Sequence, residues 1–343
     1  MRGKRLLIVV ISIIIIAGFF VSPGFFLVSP GTVEDLDDLI LMEGEPRNEE
    51  GNFLMVTVAQ REANLWGVLY GLVNPIIDVR PLSRVIPPDM TEEEYNELMQ
   101  SWMEDSKNLA QVIALRKQGY EVPIESDGVE IVELLPNSPV QGTLFPGDVI
   151  RTVEGKTVDL AEEVVSIIQE KEIGEEVQLT IEREGKEKPV EAATTHHTEE
   201  ADKAALRVYV RTLNWRPIMP FDIDIETGPV IGPSAGIMFV LEIMDRLSPE
   251  NLTSGHTVAG TGTITLQEEV GGIGGVKQKV VAAERQGADY FLVPKENYEE
   301  AQGAADEITL VPLKDLDDAL DFLKSFNTAE ALLRPGNTSL LLS

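Results

Sequence analysis

Gly274–Pro294 reads GGVKQKVVAAERQGADYFLVP, and its pattern decides how the C-terminal third of the chain is organised. Val276, Lys279, Val280 and Ala283 fall on one face at helical spacing. The spacing predicts a helix over Val276–Gln286, with a strand at Tyr290–Val293 behind it. One lysine of the pair, Lys279, belongs to the apolar face. Lys277 points with Glu284 toward a charged, solvated side. Upstream, Gly232-Pro233-Ser234-Ala235-Gly236 fits G-x-S-x-G and opens a helix over Ser234–Leu247. Phe221–Ile225 alternates with period two, Gly260–Leu266 is strand-like, and Asp315–Phe326 reads as a final helix. Residues 201–326 therefore alternate strand and helix, an α+β pattern.

The composition limits what Ser234 can do. Of the 343 residues none is cysteine, which excludes thiol catalysis, disulfide scaffolds and Cys-ligated metals. The three histidines are His196, His197 and His256. Only His256 follows Ser234, too closely for an acid on a separate strand to intervene as in an α/β-hydrolase. No histidine precedes residue 196, which leaves a trypsin-like order without parts. H-E-x-x-H is absent, and adjacent His196 and His197 would point to opposite sides of a strand, so no metal site is expected. A nucleophilic serine then needs another base, and a neutral lysine amine can serve. A free amine titrates near ~10.4, so it must be buried among apolar groups to be neutral. The helical face selects Lys279 as that base and leaves Lys277 as a surface residue.

Working outward, residues 123–195 read as a compact β-rich module. Gly128–Leu134, Asp148–Val153 and Glu176–Arg183 are strand-like, and Leu160–Glu170 is helical. Before it, residues 32–120 form a mixed α/β unit. Phe53–Gln60 is strand-like, Arg61–Leu72 reads as a helix, and Thr91 with Glu94 makes a capping box for a long helix ending near Gly119. That helix carries Tyr95, Leu98, Met99, Trp102, Leu109, Val112 and Ile113 as a core stripe. The segment Leu6–Val28 has no charge, follows Arg2, Lys4 and Arg5, and precedes Glu34 and Asp35. By length and flanking charge it is expected to be a transmembrane anchor. Bulky Phe19, Phe20, Phe25 and Phe26 argue against a cleavage site there. The expectation is a single-pass cell-membrane protein with residues 1–5 cytoplasmic, 6–28 in the bilayer and the remainder extracytoplasmic. Residues 327–343, with Pro335 and Gly336, read as a loosely held tail. A formal net charge of -30 opposes binding to nucleic acid.

Two resemblances gather these observations. The run GVEIVELLPNSPVQGTLFPGDVIRTVEGKTV resembles a PDZ domain of the type attached to bacterial proteases. The segments GPSAG, TGTITL (Thr261–Leu266) and Gly274–Pro294 resemble the proteolytic domain of Lon peptidases over about residues 205–326. The layout as a whole is similar to membrane-anchored Lon-like proteases of Gram-positive and related bacteria. The Lon resemblance implies Ser234 as nucleophile and Lys279 as base. It also implies Thr261 as a partner of the lysine, with Gly232 and Gly236 letting the backbone approach the substrate. The PDZ resemblance implies a peptide added as a strand between Gly128–Val132 and Leu160–Gln169, against Gly128, Val129, Ile131, Val164 and Ile168.

Peptide or protein substrates, a lipid bilayer at the anchor, no nucleic acid, no nucleotide and no cofactor follow, with homo-oligomerisation left open. Two departures stand out. No G-x-x-x-x-G-K-[ST] loop occurs, since Ile150 stands where Gly155-Lys156-Thr157 would need its leading glycine. Ile231 stands where many Lon proteins have Asp. The competing expectation is a non-catalytic, membrane-tethered PDZ scaffold.

Overall fold

The computed structural model describes residues 2–42, 50–87, 90–198 and 202–333. The chain opens with α1 (Arg2–Phe20), β1 (Phe25–Asp35), β2 (Asn52–Glu62), α2 (Leu65–Val73), β3 (Asp78–Pro81) and α3 (Glu92–Lys117). It continues through β4 (Val129–Leu134), β5 (Val149–Val153), α4 (Ala161–Gln169), β6 (Glu176–Arg183), β7 (Lys186–Ala193) and β8 (Val208–Thr212). It closes with α5 (Gly236–Leu247), β9 (Thr257–Gly260), α6 (Val276–Gln286), β10 (Tyr290–Pro294), β11 (Thr309–Leu313) and α7 (Leu316–Leu333). Contacts divide these into two compact units, Met1–Tyr120 with Phe221–Ser343, and Glu121–Pro220.

The first unit is built on a six-stranded mixed sheet in the order β11-β10-β9-β2-β1-β3. β9 runs parallel to both β2 and β10, while β1 runs antiparallel to β2 and β3. β2 is central, and Phe53, Leu54, Met55 and Val56 are all buried, as a strand covered on both faces requires. On one face Val276, Val280 and Ala283 of α6 join Leu54, Val56, Phe291 and Val293 in one core. α5 is buried from Gly236 to Arg246, so it is an interior helix rather than an amphipathic cover. Gly260 of β9 lies against it, and a Cβ there would meet Met238 Sδ at 2.5 Å.

The expected transmembrane anchor is not found. The apolar run Leu6–Val28 divides between two elements. α1 stops at Phe20, and β1 begins at Phe25 with Phe26, Leu27 and Val28 buried in the sheet. The uncharged stretch of α1, from Leu6, would reach only about 22 Å against a hydrocarbon core of about 30 Å. Among the described residues no helix is long and apolar enough to cross a membrane. The α+β multidomain class therefore loses its transmembrane element. The single-pass, cell-membrane placement with a cytoplasmic N-terminus loses its basis with it. Instead the end of the run is core: strand pairing and burial in the sheet use the same Phe, Leu and Val that hydropathy assigns to lipid. The tail reading of residues 334–343 lies outside the described residues, while Asn327–Leu333 continue α7.

The second unit is an antiparallel sheet in the order β7-β6-β5-β4-β8, with Lys156–Thr157 added to β5. Its core holds Val129, Ile131, Ile150, Val153, Leu179 and Ile181 from the strands, and Val164 and Ile168 from α4. Tight turns at Asn137, Glu154 and Glu184 take positive φ.

Candidate active site

Ser234 lies in the turn that leads into α5. Gly232 begins that turn with φ +96°, a conformation open to glycine and strained for other residues. Two contacts from α3 fix the turn. The Gly232 amide donates to the Met99 carbonyl at 3.0 Å, and the Ser106 hydroxyl donates to the Pro233 carbonyl at 3.1 Å. Gly236 must be small, because a Cβ there would stand 2.8 Å from Ser106 Oγ and 3.0 Å from Ile264. Among the described residues no acceptor takes the amide N–H of Ser234 or Ala235. Both lie at the positive end of α5.

Lys279 projects from the first turn of α6. Its Nζ is 2.7 Å from Ser234 Oγ and donates to Thr261 Oγ1 at 2.8 Å. Thr261 follows β9, is fully buried, and donates its own hydroxyl to the Ser234 carbonyl at 2.8 Å. The Gly262 amide donates to that same carbonyl at 2.8 Å. Thr261 thus spends its proton on the backbone of the serine turn and offers only a lone pair to the amine. The Lys279 side chain is nearly sealed, at 3 % exposure, and no carboxylate pairs with it among the described residues. Desolvation pulls its amine down to about 7.

The other lysine behaves differently from its sequence reading. Lys277 is ion-paired with Asp78, and both side chains are partly buried. It is a link from α6 to β3 rather than a solvated surface residue. Next to it Gln278 donates to the Ile76 carbonyl at 2.9 Å. The first turn of α6 is therefore tied by two successive side chains to the start of β3 and the residues just before it.

A cleft of about 570 Å³ opens beside Ser234 and Lys279. Phe26, Met55, Ile86, Met99 and Met103 supply its apolar lining, and Arg80, Arg84 and Glu92 its charges. Ile231 borders it and is exposed at 41%.

Of the sequence-derived site residues, Gly232, Ser234, Gly236, Thr261 and Lys279 come together here. Gly128, Val129, Ile131, Val164 and Ile168 do not line an open groove. The four apolar side chains lie in the core of the second unit. β4 pairs with β5 through Val129 and Glu130, and with β8 along its whole length, so no edge is left for an added strand. A Cβ on Gly128 would meet Val149 at 2.6 Å, so this glycine serves strand packing. The outer strands of this sheet are β7 and β8, and of the two β8 lies beside α4, where Thr212 Oγ1 accepts from the Ala161 amide at 2.9 Å. Sequence reasoning missed Ser106. The available signal was a lone hydroxyl within the buried stripe of Met103, Ala110 and Ile113.

Taken together, a serine turn at the head of a buried helix and a buried lysine on a second helix meet at one cleft of the first unit. Comparison with known proteins places both units. Residues 222–324 match the Lon protease (S16) C-terminal proteolytic domain, and residues 105–194 match the PDZ domain. Both domains are present in the chain. A Lon protease of Clostridium acetobutylicum is 44% identical over 69 residues, covering 20% of this chain and 9% of that protein. A Lon protease of Xanthomonas oryzae pv. oryzae is 38% identical over 97 residues, covering 27% of this chain and 11% of that protein. The chain thus spans about a tenth of the length of these curated relatives. The PDZ domain of an SdrC-like protein from Listeria monocytogenes is 19% identical, with a TM-score of 0.23, covering 24% of this chain and 87% of that one.

Proposed function

We propose that the chain is a serine endopeptidase in which Ser234 is the nucleophile and Lys279 the general base and acid. One observation carries this reading: a buried amine, with no carboxylate partner among the described residues, stands 2.7 Å from a serine hydroxyl. In its neutral form that amine has two protons and one lone pair. One proton goes to Thr261, which can only accept. The lone pair is then free to take the proton of Ser234.

The steps follow from the geometry. A peptide lies in the cleft with its scissile carbonyl at Ser234. The Ser234 proton passes to Lys279 as Oγ bonds to the carbonyl carbon. The amides of Ser234 and Ala235 receive the developing oxyanion at the head of α5. The C–N bond breaks, and the leaving amine takes the proton from Lys279. Water then attacks the acyl carbonyl and gives a proton to Lys279; the bond from carbon to Oγ breaks, and Ser234 Oγ takes that proton back as the acid product leaves. No step needs a nucleotide, metal or cofactor. The PDZ domain takes an extended segment of substrate as a strand on the free edge of β8.

The test is cleavage of a mixed peptide library by the full chain without nucleotide, read by mass spectrometry. The wild type produces new termini, and Ser234→Ala and Lys279→Met produce none. Equal cleavage by Ser234→Ala would contradict the assignment.

A further inference from the structure

The cleft carries a charge pattern that the chemistry at Ser234 does not use. Its charged lining residues besides Lys279 are Arg80, Arg84 and Glu92. The chain as a whole has 58 acidic residues against 28 lysines and arginines. Two guanidiniums against one carboxylate therefore reverse locally the sign that dominates the protein. The two arginines are held differently. Arg80 donates to Asp78 at 3.1 Å, and Asp78 also accepts from Lys277, so one carboxylate is shared between two cations. That trio keeps one net positive charge. Arg84 ends a short helical turn, Leu82–Arg84, is exposed to solvent, and makes no ion pair among the described residues. Among the described residues no carboxylate neutralises its charge, and it lines the same cleft as Ser234 and Lys279.

We propose that Arg84, with Arg80 in the same cleft, forms a subsite for an acidic side chain, so that the preferred peptides carry Asp or Glu close to the attacked carbonyl. A planar guanidinium matches a carboxylate in shape as well as charge. Elsewhere the acidic body of the protein repels such peptides, so the attraction is local and screened by salt. The proposal rests on the peptidase reading for its place in catalysis, but binding is separable from cleavage.

The experiment scans a single Asp along a short, otherwise neutral peptide, with Asn at the same positions as the control. Binding to the full-length Ser234→Ala protein is followed by fluorescence anisotropy. At one or two positions the Asp peptide should bind about threefold to tenfold more tightly than its Asn counterpart. The advantage should shrink with added salt. It should disappear in Arg84→Gln and invert in Arg84→Glu, each made in the Ser234→Ala protein. Equal binding of Asp and Asn peptides everywhere, no binding by any peptide, or a preference that survives both Arg84 substitutions would overturn the proposal. Cleavage of the Asn peptides by the wild type is read separately. If the wild type keeps the Asp preference in binding yet cuts nothing, the subsite stands and the peptidase reading falls.

Discussion

The two ends of α5 both hold buried ionisable groups, and the protein treats them in opposite ways. At the N-terminal end Lys279 meets only hydroxyls, those of Ser234 and Thr261. At the C-terminal end Glu242 accepts from Arg246 at 2.8 Å, and the same guanidinium donates to the Asp37 carboxylate at 2.7 Å. Desolvation shifts both groups toward neutrality, Lys279 down to about 7 and Glu242 up to about 7. A shifted pKa alone would nominate both as catalytic. Geometry separates them. Glu242 is closed in by an ion pair inside the fold, whereas Lys279 borders a cleft and lacks a counter-ion. An unpaired buried amine can be relieved only by losing its proton, and that loss makes it a base.

The comparison can be broken most sharply at its reactive end. Ser234→Ala and Lys279→Met should each lower kcat/KM by at least about a thousandfold, since each removes a group that the proposed bond-making step requires. Lys279→Met should at the same time stabilise the fold. The unfolded lysine holds its proton up to about pH 10.4, and the folded one releases it near 7, so wild-type stability rises with pH across that window. The gain from Lys279→Met should reach up to about 5 kcal/mol below pH 7 and vanish in strong alkali, measured by urea unfolding.

At the structural end Arg246→Met should do the reverse, destabilising by about 3 kcal/mol because it strands two carboxylates. The loss should grow with pH above about 7, where the wild-type Glu242 ionises beside Arg246 while the variant's still holds its proton in the fold.

Thr261→Val leaves the amine without its acceptor and frees it to turn. It should cost about tenfold in kcat/KM with the fold intact by circular dichroism. Lys277→Met, one residue pair away on the same helix, should change kcat/KM by less than about threefold, because Asp78 keeps Arg80 as partner.

The site was more legible than the frame that carries it. α6 follows directly from its apolar spacing, and Lys279 was found because a helical face is a local property. Thr91 announced α3 through its capping box, which the structure contains. Strand pairing is not local. The side chains of Phe25–Val28 do not tell it from the end of a lipid-seeking segment, because sheet burial and bilayer burial favour the same residues. Likewise Val208–Thr212 is a short segment whose role emerges only when it covers the edge of β4. The sequence therefore points to β4 as the strand beside the groove, and its apolar residues lie in the core instead. Arg84 and Arg80 could not be linked to Ser234 from sequence, since about 150 residues separate them and only the fold of β3 and α5 around one cleft makes them neighbours.

The most direct test is the pH dependence of kcat/KM for one cleaved peptide that has no titrating group between pH 5 and 10. The predicted curve rises through an inflection near 7, as Lys279 sheds its proton, and then levels off. A rise that begins only near the ordinary lysine value of about 10.4 would contradict the account, and so would activity that is flat across neutrality.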